Sequence, residues 1–311
     1  MALTLLDVAK RTGSDSAVGL IEEVVTHAPE VATYPVRTIN GTTFNTTKRT
    51  NYPQGGFRGA NQGVTLGQSA FAQRLDQCFF FDAQMQVDEA VVNADGGEVG
   101  DLLGNEASGA ISGAAISLGT QIYYGTSEDA KGFEGLLANV ASANTVDATG
   151  TGGTRTGVYF VYEDIQGVHL VAGNNTSILM GSDTEWPKQK VTDGTGKTYT
   201  AYTNNASGYL GLAIGHKDSI VYVKNLTTAK PFTDSLAADA MALFPAHIMA
   251  SGKVKCYMNR AARLQLQKSR STVGVTKADA SGGSFAPLPT EVQGIEIVVT
   301  DSITNGGNEA G

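Results

Sequence analysis

The residues most able to do chemistry in this chain are its 4 histidines, 2 cysteines and 30 acids, and their spacing gives them little to do. His27, His169, His216 and His247 fall in four separate segments, with no HxH or HExxH pair to seed a metal site. Cys78 and Cys256 are far apart, form no CxxC pair and sit among apolar neighbours. That is the setting of buried free thiols in a reducing compartment. No GxSxG nucleophile elbow occurs. Acid pairs of the kind that hydrolyse glycosides have no sequence spacing of their own, so the acids point nowhere. Asp193-Gly194-Thr195-Gly196-Lys197-Thr198 ends like a phosphate-binding loop, but the motif's first glycine position is Val191. The TYTAYT run from Thr198 reads as strand and not as the helix whose N-terminus would hold phosphate, so a hairpin turn is expected. The Gly150–Gly153 run fails as a dinucleotide fingerprint because no helix opens after it. No metal and no cofactor is expected.

The chain has 311 residues, enough to bury a sizeable core, and only 17% of them are charged. Thirty-eight glycines beside many Thr, Asn and Ser predict long loops, the parts of a fold most available to neighbours. The formal charge of −8 gives no counterion-release attraction to nucleic acid and argues against a DNA reader. Lys and Arg concentrate at 48–58 and 253–270, as a solvated face or as salt-bridging contacts between subunits. No run approaches the ~20 apolar residues of a membrane span. Asp7 and Lys10 interrupt any secretory signal, so the protein is expected to stay where it is made.

The elements that would carry such surfaces can be read in order. Ser14 or Asp15 can cap a helix with Val18, Ile21 and Val25 at helical spacing, ending at Pro29. Residues 36–70, β-branched with an Asn40-Gly41 turn signal and a Gly/Pro-rich middle, read as a long protruding hairpin, marginal unless a partner covers it. DQCFFFDAQMQVDEAVVN reads as a core strand turning into a helix near Asp88. A long helix comes next, with small residues at Gly100, Gly104, Gly109 and Gly113 that suggest close packing on a sheet; each glycine costs about 1 kcal/mol against Ala, so tertiary contacts must hold it. KGFEGLL reads as a turn into a strand, GVYFVYEDIQGVHLVAG as two strands around a turn, and KTYTAYTNNASGYLGLAIGHKDSIVYVKNLT as three more strands. Residues 234–250 return to helix. KVKCYMNRAARLQLQKSR is a strand running into a basic amphipathic helix, and VQGIEIVVTD is a closing strand.

Five segments, in order, resemble the major capsid proteins of tailed double-stranded DNA bacteriophages: LLDVAKRTGSDSAVGLIEEV, QMQVDEAVV, YYGT…KGFEGLL, VYFVYEDIQGV…GYLGLAIGHKDSIVYVKNL and CYMNRAARLQL…VQGIEIVVTDSIT. The resemblance implies an α+β chain of Hong Kong 97-type fold. On this chain it implies an N-terminal arm at 1–35 and an E-loop hairpin at 36–75 that reaches across a neighbour. It further implies a peripheral domain at 76–139 with a spine helix at 97–124, an axial domain at 140–290, and a C-terminal strand at 291–311 returning to the peripheral domain. Many copies would close as hexamers and pentamers into an icosahedral shell around double-stranded DNA, which the shell encloses without sequence-specific binding. The chain would then be a structural protein and no enzyme, with portal and scaffolding proteins as partners and a decoration protein left open. It would assemble in the host bacterial cytoplasm and reside in the virion capsid, with no membrane.

Candidates for inter-subunit contact are Lys48, Arg49, Phe57 and Arg58 of the hairpin, and Trp186, the sole tryptophan, which reads either as an interface anchor or as loop packing. Some relatives carry a removable N-terminal scaffolding segment. Here fold-like sequence starts by residue 3, so a separate scaffolding protein, or none, is expected. Some relatives crosslink an E-loop lysine to a neighbour's asparagine; Lys48 is the lysine available, and no asparagine singles itself out. An encapsulin-like compartment shell and a β-rich tail or adhesin component are the alternatives.

Overall fold

The computed structural model describes residues 28–95, 99–175, 179–180, 186–272 and 286–306. The helix expected after Ser14 and most of the arm lie outside the described residues. The chain enters as one turn, α1 (Glu30–Thr33), and a short strand, β1 (Val36–Thr38). Gly41, at φ +89°, bends it into β2 (Thr43–Asn51), which pairs antiparallel with β3 (Ala70–Gln77) as a two-stranded hairpin separate from the other sheets. The Asn40-Gly41 signal therefore marks the hairpin's base and not its tip.

Only Cys78 separates β3 from β4 (Phe79–Asp88), whose alternation buries Met85 and Val87. The Asp88 carboxylate accepts from the Ala90 N–H at 2.8 Å, which starts α2 (Glu89–Asp95). The 26-residue α3 (Val99–Tyr124) comes next, about 39 Å long. Its expected close packing through Gly100, Gly104, Gly109 and Gly113 is not found. All four are exposed, and a Cβ at any of them would meet nothing within 4 Å. Leu102, Leu103, Leu118, Ile122 and Tyr123 bury the helix instead. Gly125, at φ +56°, ends this stretch in the left-handed region. KGFEGLL then makes a turn and a short helix, α4 (Leu136–Asn139), where a strand was expected, because Leu136 inserts fully into the core and Asn139 Nδ2 donates to the Gly135 carbonyl at 2.9 Å.

The next stretch supplies β5 (Thr145–Asp147), β6 (Thr156–Tyr162), β7 (Val168–Ala172), β8 (Leu179–Met180), β9 (Lys188–Thr192), β10 (Thr198–Ile214) and β11 (Ile220–Leu226). One sheet runs β1-β7-β10-β4, with β8 and β9 also paired to β10. The strands depart from expectation in one place. The region from Lys197 to Thr227 holds two strands and not three, because β10 continues for 17 residues through Asn204-Asn205. Asn205 Nδ2 donates to Asp82 Oδ1 at 3.2 Å, and a Cβ on Gly211 would strike the Gln77 carbonyl, so these residues serve strand packing and not a turn. β6 and β7 are the two strands expected around a turn, and they belong to different sheets. Gly167 and Gly215 allow the crossing: the Gly215 N–H donates to the Gly167 carbonyl at 2.7 Å, and a side chain on either would run into backbone.

The expected single helix at 234–250 is broken at Pro245 into α5 (Asp234–Ala242) and α6 (Ala246–Ala250). Then come β12 (Val254–Met258), α7 (Arg260–Thr272), β13 (Glu291–Val292) and β14 (Ile295–Val299). The second sheet is ordered β13-β14-β12-β6-β11-β5, so residues 140–290 contribute strands to both sheets. Asn259 caps α7, its Oδ1 accepting from the Ala262 N–H at 2.9 Å.

The core follows from the two-residue period of β6, which is buried on both faces. Val158, Phe160 and Tyr162 face Phe232, Ala237, Phe244 and Leu266 of the α5–α7 layer. Tyr159 and Val161 face Ile122 and Tyr123 of α3 together with Leu170 and Leu212 of the first sheet. β11 divides in the same way, Val221 and Val223 to one side, Ile220 and Tyr222 to the other. A run of tyrosines threads the second face: Tyr222 stacks on Tyr159 at 4.5 Å, Tyr159 meets Tyr123 at 5.2 Å, and Tyr257 lies 5.4 Å from Tyr34.

Candidate assembly interface

The hairpin leans on the body at its base and leaves it at its tip. β2 alternates half-buried and exposed as far as Lys48, whose Nζ donates to the Ile214 carbonyl at 3.0 Å. Burial, with Arg74 nearby, lowers the Lys48 pKa. Asp76, buried on the facing strand, holds Arg74 Nε at 3.0 Å and accepts from Thr46 Oγ1 at 3.0 Å. Beyond Lys48 support ends: residues 49–68 are all exposed. Arg49 lies over the Tyr52 and Phe71 rings, at 5.3 Å from each centroid. Tyr52, Phe57 and Leu66 stand in solvent, Phe57 completely. Arg58, the sole charge between Tyr52 and Ser69, donates to the Gln62 carbonyl at 3.2 Å. Single exposed apolar residues are ordinary, whereas Tyr52, Phe57, Val64 and Leu66 place four on one glycine-rich tip.

The other sequence candidates fall elsewhere. Trp186 is half-buried against Val87, Val92, Leu102 and Leu103, a loop-packing position within its own chain. Several cations of the basic 253–270 cluster are engaged internally. Lys253 meets Asp164 at 3.1 Å, Lys255 meets Glu163 at 3.2 Å, Arg260 meets Asp301 at 2.6 Å, and Arg270 grips Asp234 with two bonds of 2.7 and 2.8 Å. These pairs lie within one chain, tying α7 and β12 to their surroundings.

Sequence reasoning missed a groove of about 750 Å³ at the root of the hairpin. Phe79, Phe81, Leu118 and Phe133 line it, between β4, α3 and the 128–133 turn. Asp82, Glu128 and Asp129 carry three negative charges around it, against one positive charge on Lys131. The consecutive phenylalanines at 79–81 were its only sequence signal, since one strand cannot bury both faces at a sheet's rim.

Most of the described chemistry-bearing residues stay dispersed. Among the described residues no three His, Cys, Asp or Glu side chains gather to hold a metal ion. His216 and His247 do meet, ring to ring at 5.6 Å, which their separate segments gave no hint of. His169 is buried and held below its usual pKa by burial. Cys256 is buried and Cys78 half-buried. The 193–198 segment is a hairpin turn between β9 and β10, with Asp193 Oδ1 accepting from the Thr195 N–H at 2.9 Å and the Lys197 N–H at 2.8 Å. Among the described residues no helix is long and apolar enough to cross a membrane.

An α+β body of two sheets around a long helix, with an outlying hairpin whose apolar tip the chain leaves exposed, has the fold of phage capsid subunits. Over 99% of this chain and 97% of the other, the structure superposes on a chain of the bacteriophage Epsilon15 structure with a TM-score of 0.74 at 19% identity. The family model Major capsid protein GP7 matches residues 15–310, and the chain belongs to that family: it is a subunit of a phage capsid shell with the Hong Kong 97-type fold. A Mycobacterium phage Adephagia chain aligns over 71% of this chain and 97% of its own at 10% identity with a TM-score of 0.49. A chain from the capsid of a native GTA particle aligns over 68% and 96% at 8% identity with a TM-score of 0.44. No match was found among curated protein sequences.

Proposed function

We propose that the chain closes as hexamers and pentamers into an icosahedral shell around double-stranded DNA, a structural and not an enzymatic task. In this reading the β2–β3 hairpin is the E-loop and tethers one subunit to the next. α3 is the spine helix, and the α5–α7 side of the second sheet supplies axial contacts around the ring centres. Heterologous contacts of this kind generate rings when the rotation closes, and several modest contacts acting together supply stability by avidity. Assembly takes place in the host bacterial cytoplasm, with portal and scaffolding proteins as partners and room for a decoration protein outside. The acidic chain encloses DNA without reading it.

The observation that carries this reading is the exposed stretch 49–68, with Tyr52, Phe57 and Leu66 in solvent at the end of a hairpin that would be marginal on its own. Electron microscopy of the chain expressed alone, and then with a scaffolding protein, tests it. Closed shells of uniform size are expected. Soluble monomers under both conditions would sink the reading.

A further inference from the structure

The sequence contains two Asn-Gly steps, Asn40-Gly41 and Asn305-Gly306. Such a step carries a reaction of its own. A glycine has no Cβ to hinder its backbone nitrogen from closing on the carboxamide carbon of the asparagine before it. The fold treats the two steps differently. Asn305 Oδ1 accepts from Asn259 Nδ2 at 2.7 Å, and Asn259 is itself buried as the cap of α7, so this carboxamide is held in one orientation. Asn40 is exposed, and no described residue bonds its carboxamide. Among the described residues the Gly41 N–H has no acceptor either. A Cβ on Gly41 would meet nothing within 4 Å, so the space beside that nitrogen is open.

What the fold does hold is the carbonyl on each side. The Ile39 carbonyl accepts from the Asn175 N–H at 2.8 Å, and the Gly41 carbonyl accepts from the Asn174 N–H at 2.9 Å. These two bonds fasten the entry of the hairpin to the turn that follows β7, where Asn174 and Asn175 both sit at φ +56°. Asn40 is the residue they bracket.

We propose that Asn40 is a site of spontaneous deamidation, and that its isoaspartate product unfastens the base of the hairpin. The Gly41 nitrogen gives up its proton and bonds to Asn40 Cγ. The bond from Cγ to the side-chain nitrogen breaks, and ammonia leaves with that proton. A five-membered succinimide remains. Water then opens the ring. Cleavage between Cγ and the Gly41 nitrogen gives aspartate. Cleavage between the Asn40 main-chain carbonyl carbon and that nitrogen gives isoaspartate. The sum is asparagine and water in, acid and ammonia out, with no change of oxidation state. In isoaspartate the backbone runs through Cβ and Cγ, one atom longer than before. The Ile39 and Gly41 carbonyls then no longer match two consecutive N–H groups, and one of the two bonds is lost. The reaction takes place within one chain and does not depend on the shell reading.

Peptide mapping of the purified protein, aged at about pH 8 in heavy-oxygen water, tests this. Trypsin cleaves after Arg37 and Lys48 and isolates Asn40 with Asn45, which fragmentation tells apart. Asn40 should take up one heavy oxygen, with isoaspartate the main product. It should convert about tenfold faster than Asn305, whose carboxamide is not free to turn. Asn40→Gln, which would have to close a six-membered ring, should stay intact. Amide exchange across 43–51 and 70–77 should rise in step with isoaspartate content. Freshly prepared Asn40→Asp adds the charge without lengthening the backbone and should leave that exchange unchanged. Asn40 that stays intact or lags behind Asn305, or isoaspartate that accumulates with no rise in exchange, would overturn the proposal whether or not the protein forms shells.

Discussion

Lys48 and Ile214 are 166 residues apart in sequence, yet the Lys48 ammonium donates to the Ile214 main-chain carbonyl at 3.0 Å. This bond is the last tie between hairpin and body before the exposed tip. Lys48→Met should cost about 1 kcal/mol of stability. It should also loosen the hairpin: amide exchange across 43–51 and 70–77 should rise while that of β6 stays unchanged. The same bond keeps the amine occupied, so shells boiled in detergent should run as monomer. A covalent ladder that disappears in Lys48→Ala would contradict this.

Glu163 is buried with Tyr257 and Lys255 as partners, and burial holds its carboxyl above the usual carboxylate range despite both. A folded-state pKa above the unfolded value means the folded protein binds the proton more tightly. Stability from this group is therefore greatest at acid pH and declines as pH rises through the raised value. Glu163→Gln should lose less stability than the native chain between pH 4 and pH 7, as measured by urea unfolding at each pH. Parallel curves would contradict the assignment.

Asp234, at the start of α5, receives two bonds from Arg270 of α7, and that guanidinium holds its carboxyl below the usual range. A depressed pKa works in the opposite direction: the pair contributes fully above the ordinary carboxylate pKa and is lost as pH falls through the lowered one. The pair is partly open to solvent, so Asp234→Asn should cost only about 0.5–1 kcal/mol at neutral pH, less in high salt. The difference from the native chain should vanish in acid. A cost that persists there would point to packing and not charge.

Gly125 combines a left-handed backbone with a neighbour that leaves no room. A Cβ there would run into the backbone of Glu134 and Gly135. Gly125→Ala should destabilise the fold by more than about 3 kcal/mol and be recovered largely as insoluble protein. Gly113→Ala, on an exposed face of α3, should raise the thermal midpoint instead.

Much of this fold was legible because local pattern and tertiary role agree. The strand and helix around Asp88, the amphipathic α7 with Ala262 and Leu266 inward, and the 193–198 turn all follow from periodicity and capping. The three-strand reading of Lys197–Thr227 failed because small residues there serve strand packing and not a turn. Gly211 lies inside β10 against the Gln77 carbonyl, and Asn205 of the same strand bonds Asp82. The open face of α3 was misread in the opposite sense, since its glycines touch nothing in the chain. At the interface, the tip was visible from composition. The groove was not, because its lining comes from β4, α3 and a loop near Phe133 that only folding brings together.

The hairpin's route into the body has a mechanical consequence. β3 passes through Cys78 straight into β4, and β4 is registered against β10 over ten consecutive pairs, from Phe79↔Leu210 to Asp88↔Ala201. A pull on the tip is delivered along the axis of that ladder. Its hydrogen bonds then resist in shear, all sharing the load at once, and do not peel one after another as they would under a force applied across the strands.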